Sequence, residues 1–109
     1  MVKGQKPKHA VLVYFKLAND EYGTESERVY LNELEVVLEA AYKDKPVGEF
    51  DGYETGDGWS TLYFYGPDAD ELYADVLLAI KKHPHRRGSY VVKRYGPPGS
   101  KQEKLDLER

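Results

Sequence analysis

The order of strand-like and helix-like segments is the feature that most constrains the fold of this chain. Strand-like runs occupy residues 10–17, 47–55, 59–65 and 89–95, and amphipathic helical patterns follow the first and the third of them. The segment order is therefore β-α-β-β-α-β. Because strand–helix–strand connections are right-handed and the two middle strands form a hairpin, this order predicts a four-stranded antiparallel sheet with two helices on one face.

This arrangement is the α+β sandwich called ferredoxin-like, in which the first and third strands are central. The apolar character of the two runs agrees with that position, since residues 10–17 are apolar on both faces and residues 59–65 are rich in aromatic side chains. A four-stranded ferredoxin-like sandwich is therefore the fold that the sequence predicts.

The length of 109 residues fits one domain with one hydrophobic core. We expect a flexible N-terminal segment at residues 1–9 and a single α+β domain at residues 10–96. Residues 97–109 are expected to form a charged C-terminal tail. A short extra strand can form within it at residues 105–107, which include Leu105 and Leu107.

Both helices carry recognisable start signals. Thr24 and Glu27 have the spacing of a capping box, and Asp68 suits the N-cap of the second helix. The apolar stripe predicted for the first helix consists of Tyr30, Leu34, Val37, Leu38 and Ala41. The stripe predicted for the second helix consists of Ala69, Leu72, Tyr73, Val76, Leu77 and Ile80.

Composition excludes several classes of function. A net charge of −3 disfavours non-specific binding to nucleic acids or anionic membranes, which requires a surplus of Lys and Arg. The absence of cysteine excludes disulfides, zinc–thiolate sites and thiol nucleophiles. No run approaches the roughly 20 apolar residues of a membrane span, and the apolar run at residues 10–15 is too short for a signal peptide. The expected location is cytoplasmic.

Aromatic residues provide the leading functional hypothesis. The chain holds ten tyrosines and one tryptophan, residue types that protein interfaces favour. We therefore expect a non-enzymatic domain that binds a protein partner, or a second copy of itself, through an aromatic sheet face. The residues expected on that face are Tyr14, Trp59, Tyr63, Tyr65 and Tyr90.

The register of the last strand stays open at this point. Its two alternating sets are Tyr90, Val92 and Arg94 on one side and Val91, Lys93 and Tyr95 on the other. Either set can face the helices, and a shift of one residue exchanges the core for the binding face.

Charged residues suggest two further surfaces. The predicted hairpin carries acidic residues that can bind a basic partner, as immunity proteins neutralise a basic toxin or nuclease; they are Glu49, Asp51, Glu54 and Asp57. The segment after the second helix carries basic residues that can bind an anion; they are Lys82, Arg86 and Arg87.

Residues 57–64 (Asp-Gly-Trp-Ser-Thr-Leu-Tyr-Phe) resemble the RNP1 stretch of the RNA-recognition motif, which is also a βαββαβ fold. The resemblance implies single-stranded RNA binding, with Lys93, Arg94 and the basic segment around the aromatic face. Two departures count against it. Asp57 stands in place of the basic residue, and Thr61 in place of the central stacking aromatic.

A second alternative is a small enzyme or ligand carrier of the dimeric α+β-barrel type, whose length and topology are similar. It predicts a closed cavity between helices and sheet, lined by aromatic side chains and at least one polar group. No local motif marks a catalytic residue. His83 and His85 flank a proline with no third ligand nearby, so we expect neither a metal nor a cofactor.

Residues 50–54 and 63–70 resemble small uncharacterised bacterial proteins of ferredoxin-like topology. The resemblance implies the fold and no particular activity.

Overall fold

The structure, a computed structural model, describes residues 8–107. The first seven residues of the predicted flexible segment lie outside the described residues, as do the last two of the tail. The elements are β1 (His9–Lys16), α1 (Glu25–Ala41), β2 (Glu49–Gly56), β3 (Trp59–Gly66), α2 (Ala69–Ile80), β4 (Tyr90–Arg94) and β5 (Gln102–Asp106).

The strands form one five-stranded antiparallel sheet in the order β2-β3-β1-β4-β5. The predicted α+β class and the interior position of β1 and β3 are confirmed. The sheet has five strands and not four, because β5 pairs with β4 along its whole length. The extra strand expected in the tail at residues 105–107 is present, but it lies at Gln102–Asp106. A tight turn with Gly99 at a φ of +96° reverses the chain after β4, and backbone pairing then orders a charged segment.

Strand alternation separates the sheet into two faces. Val11 and Val13 of β1 point to the side that both helices cover, where they join one buried cluster with Leu34 of α1 and Leu72 of α2. The even-numbered residues of β1 point to the opposite side, where Leu12 belongs to a separate, smaller cluster. Both helices therefore lie on one face, as predicted.

Helix α1 begins with the predicted capping box, in which Thr24 and Glu27 each bond to the other's backbone N–H. Its buried stripe differs from the prediction. Leu31 is buried instead of Tyr30, and Val37 is 56% exposed. The helix packs on the sheet along one narrow line, so side chains outside that line remain in solvent.

Helix α2 begins at the predicted N-cap, where the Asp68 carboxylate accepts hydrogen bonds from the backbone N–H groups of Asp70 and Glu71. The buried residues of its predicted stripe are Ala69, Leu72, Val76 and Ile80. Among residues 8–107, neither helix combines the length and the apolar character that crossing a bilayer requires.

The β2–β3 hairpin closes through two residues that both have positive φ, Asp57 at 55° and Gly58 at 86°. This is the backbone conformation that joins strands of natural twist with a two-residue turn. The turn docks on the loop after β1, where Leu17 N–H donates to Gly58 O and Gly58 N–H donates to Glu21 O, each over 2.9 Å. The end of β3 that carries Trp59 is thereby fixed beside the end of β1.

Candidate functional site

The helix-free side of the sheet collects the five aromatic side chains that the sequence singles out. Tyr14 comes from β1, Tyr90 from β4, and Trp59, Tyr63 and Tyr65 from β3. We call this surface, with the side chains that flank it, the aromatic face. No element formed by residues 8–107 covers it.

The structure also decides the register of β4. Val91 belongs to the core beneath the helices, whereas Val92 belongs to the cluster on the aromatic face. Tyr90 and Arg94 are each two residues from Val92 along the strand, so their side chains point to the aromatic face as well. Lys93 lies on the helix side, where it donates to Asp70 over 2.8 Å.

Three of the rings form a compact cluster at one end of the face. Tyr14 and Tyr90 stack with centroids 4.6 Å apart and planes at 15°. Trp59 meets Tyr90 edge-on at 5.4 Å and Tyr14 edge-on at 6.4 Å. The pairing of the strands causes this contact, because Tyr14 lies directly opposite Tyr90 in the register.

A floor of small and aliphatic side chains lies beneath the rings. Ala10, Leu12 and Val92 are at most 8% exposed, although no second layer of the chain covers them. The tyrosines shield them and are themselves only partly buried. The aromatic face is therefore an apolar floor with a layer of phenol and indole rings above it.

Cations lie over the outer rings of the cluster. The Lys16 ammonium is 5.1 Å from the centroid of the Trp59 ring, and the Lys104 ammonium is 4.3 Å from that of Tyr90. These are distances at which an ammonium is attracted by the electron-rich ring face. Arg94, on the same side, donates from Nε to the carbonyl of Gly96 over 2.9 Å.

Two hydroxyl groups on the face, those of Tyr63 and Tyr14, have raised pKa values. Burial raises the pKa of Tyr63 to about 12, together with the hydrogen bond that its hydroxyl donates to Glu54 over 2.9 Å. Burial and the neighbouring Tyr90 also raise the pKa of Tyr14, against a smaller opposite effect of Arg94. Tyr14 and Tyr63 consequently offer neutral hydroxyl groups on the face.

The four acidic hairpin residues do not form one compact patch. Glu49 pairs with Lys8 over 3.1 Å, and Glu54 accepts from Tyr63. Asp51 is exposed beside a register shift between β2 and β3, and Asp57 lies in the turn at the far end of β2. The residues instead mark the β2 edge of the aromatic face as acidic.

The basic segment after α2 contacts the helix side of the sheet through Arg86. Arg86 donates from Nε to Glu27 over 2.9 Å, which fastens the segment to the start of α1. Lys82 and Arg87 are exposed. Of Lys93 and Arg94, which the RNA-binding hypothesis places around the aromatic face, only Arg94 lies on it.

A pocket on the helix side is a feature that the sequence analysis missed. It has a volume of about 720 Å³ and lies between the end of β1, the first turns of α1 and the loop after α2. We call it the α1 pocket; its lining includes Phe15, Leu17, Tyr30, Leu34, His83 and Arg86. No local sequence signal marks it, because its lining residues lie far apart in the chain.

Residues 8–107 contain no cluster of three histidine, aspartate or glutamate side chains that is suited to a metal ion. Comparison of the chain with protein-family models, with curated proteins and with solved structures finds no match.

Proposed function

We propose that this chain is a non-enzymatic protein-binding domain that associates with a second copy of itself through the aromatic face. The observation that carries the proposal is the convergence of five aromatic side chains on a sheet face that no element of residues 8–107 covers. Tyr and Trp provide large apolar contact areas at a low cost in side-chain entropy, so they are enriched where proteins bind one another.

The distribution of charge favours a second copy as the partner. Acidic side chains lie along the β2 edge, at Glu49 and Glu54. On the aromatic face of β4 and β5, the cationic side chains of Arg94 and Lys104 outnumber the single carboxylate of Asp106. A two-fold axis that runs parallel to the strands, between two facing sheets, places the β2 edge of each copy over the β4–β5 edge of the other. The face is therefore complementary in charge to itself.

A ferredoxin-like arrangement is part of the proposal. The first four strands have the order β4-β1-β3-β2, with β5 added outside β4. This order supports kinship with small bacterial proteins of that topology, and the cytoplasmic location expected from the sequence is retained.

Single-stranded RNA is a less favoured partner of the same face. A base-stacking platform must present ring faces outward. Here Tyr14 and Tyr90 stack on each other, and the Lys104 ammonium covers the outer ring. Asp57, two residues before Trp59, adds a negative charge that opposes the positive charge of Lys16 over the Trp59 ring.

The α+β-barrel enzyme is also less favoured. It requires a closed cavity between the helices and the sheet, and buried side chains such as Leu34, Phe64 and Val76 occupy that space. An immunity-like use of the hairpin against a basic partner has less support as well, because the four acidic hairpin residues do not form one compact patch.

Light scattering coupled to size exclusion, repeated over a wide dilution range, tests the proposal. We expect a species of twice the 12.5 kDa chain mass that dissociates on dilution. Trp59→Ala should shift the dissociation to a higher protein concentration by at least about tenfold, as expected for a central aromatic contact. Tyr22→Ala is the matched control, because Tyr22 is 60% exposed and lies outside the face.

A wild-type chain that stays monomeric at about 1 mM would contradict the proposal. So would a dimer that both substitutions leave unchanged. If the monomer instead binds a mixed-sequence single-stranded oligonucleotide, with an affinity that falls steeply with salt and is lost in Trp59→Ala, the RNA alternative replaces it.

A further inference from the structure

We infer that the α1 pocket binds a small organic cation, of the class of arylalkyl amines. The pocket lies on the helix side of the sheet, so this inference is independent of association through the aromatic face. It depends on the shape of the pocket, its rings and its charges.

The floor of the pocket is apolar and firmly packed. Phe15, Leu17, Leu31 and Leu34 line it, and each is at most 7% exposed. The volume of about 720 Å³ lies within the range of small-molecule sites, which is roughly 300–1,000 Å³. An aryl group can therefore cover this floor and exclude water from it.

Aromatic rings form the walls. Tyr30 meets His83 edge-on at 5.1 Å, and Phe15 stacks with His85 at 6.3 Å. Phenyl and phenol rings attract a cation placed over their faces. Tyr30 is 36% exposed and lies at the rim of the pocket, where the ammonium group of an aryl ligand would lie.

The charges around the pocket favour a cation over an anion. Three carboxylates line it, those of Glu25, Glu27 and Glu33, against the positive charge of Arg86. The Lys16 ammonium lies over the Trp59 ring on the aromatic face. Glu27 and Arg86 neutralise each other in an ion pair. Glu25 and Glu33 have no ion-pair partner among residues 8–107, so they remain available to an ammonium group.

His83 completes the site as a neutral polar group. Its Nδ1 atom is buried and has no hydrogen-bond partner within residues 8–107. A protonated ring would leave a buried N–H unsatisfied there, which is costly, so the neutral form with the proton on Nε2 is preferred. Burial correspondingly lowers the pKa of His83. The imidazole therefore does not repel a bound cation.

The test compares three probes of the same shape by NMR titration of the ¹⁵N-labelled full chain: 2-phenylethylamine, 2-phenylethanol and 3-phenylpropionate. We expect the amine to bind most tightly, with an affinity at least about threefold higher than that of the alcohol. The amine should also shift the NMR signals of residues around the α1 pocket. Binding of the alcohol that equals that of the amine, preference for the carboxylate, or no saturable shift up to about 10 mM amine would each overturn the inference.

Two substitutions locate the site. Glu33→Gln should weaken the binding of the amine by about threefold, which is the effect of removing one exposed charge pair. The affinity for the alcohol should not change. Glu39→Gln is the matched control, since Glu39 lies on the same helix and does not line the pocket. Tyr30→Leu keeps an apolar rim but removes the ring, so the amine should lose more affinity than the alcohol. An amine affinity that neither Glu33→Gln nor Tyr30→Leu changes would overturn the assignment to this pocket.

Discussion

Glu27 connects three parts of the chain, and its removal provides a quantitative test of how the start of α1 is held. Its carboxylate accepts from the backbone N–H of Thr24 over 2.9 Å and from that of Ala18 over 3.2 Å. It also accepts from Arg86 Nε over 2.9 Å. Glu27→Gln keeps the size of the side chain and one acceptor oxygen, but it removes the negative charge from all three contacts.

The expected cost follows from these contacts. Hydrogen bonds to a charged acceptor are roughly twice as strong as neutral ones, so two backbone contacts lose about 1 kcal/mol each before solvent screening. The ion pair with Arg86, whose side chain is 52% exposed, adds only about 0.5 kcal/mol. Because solvent reaches part of the site, we expect Glu27→Gln to lower the free energy of unfolding by about 1–2 kcal/mol at pH 7.

The loss should depend on pH in a definite direction. Burial alone would raise the pKa of Glu27, but the two backbone hydrogen bonds and the Arg86 guanidinium outweigh it and hold the pKa below its ordinary value. The stabilisation by the charged carboxylate is therefore fully present above the unfolded pKa of about 4.3 and is lost as the pH falls through the lower folded pKa.

Urea denaturation of wild type and Glu27→Gln between pH 7 and pH 3 measures this difference. We expect the gap in unfolding free energy to be largest at neutral pH and to narrow towards pH 3. Glu33→Gln, on the same helix and without an ion-pair partner among residues 8–107, should show no gap at either pH. A gap of constant size down to pH 3, or no gap at pH 7, would refute the account of Glu27.

Two further predictions concern the core and the aromatic face. Leu38 is fully buried, so Leu38→Ala should cost about 2–5 kcal/mol in urea denaturation, whereas Val36→Ala, at a side chain 67% exposed, should change stability by less than about 0.5 kcal/mol. Similar losses for both would show that α1 does not pack as described. In ¹³C NMR titrations the Tyr63 ring should not titrate below about pH 11, because its pKa is raised to about 12, and Glu54→Gln should lower that pKa. Titration of Tyr63 near pH 10 in both proteins would contradict the hydrogen bond between its hydroxyl and Glu54.

Local sequence signals predicted much of the fold. The capping box at Thr24 and the N-cap at Asp68 determine where the helices begin, and both were predicted from the sequence. These signals act over a few residues, so they can be read without knowledge of the rest of the chain. The aromatic residues of β3 shared a face for the same reason, since every second residue of a strand points to the same side.

Features that depend on distant contacts were harder to predict. The β5 strand is mostly charged, and the backbone hydrogen bonds that order it leave no pattern of apolar residues. The register of β4 depends on its pairing with β1. The α1 pocket joins Phe15, Tyr30 and His83, which are far apart in the chain, so no local motif marks it. The narrower stripe of α1 likewise depends on how the helix packs on the sheet.

Exchange of charge across the proposed interface tests self-association most directly. Glu54 lies on the acidic β2 edge and Lys104 on the opposite β5 edge, on the same side of the sheet. In the proposed two-fold dimer, Glu54 of each copy faces Lys104 of the other copy, so this ion pair occurs twice. Glu54→Lys alone, or Lys104→Glu alone, replaces two attractive pairs with two repulsive ones, which costs about 1–4 kcal/mol.

The decisive measurement is sedimentation velocity of the two variants, first separately and then mixed in equal amounts. We expect each variant alone to be mainly monomeric and the mixture to form a dimer, because both pairs are attractive when Glu54→Lys meets Lys104→Glu. A mixture that stays as monomeric as its components, or single variants that dimerise as well as wild type, would contradict association through the aromatic face in this orientation.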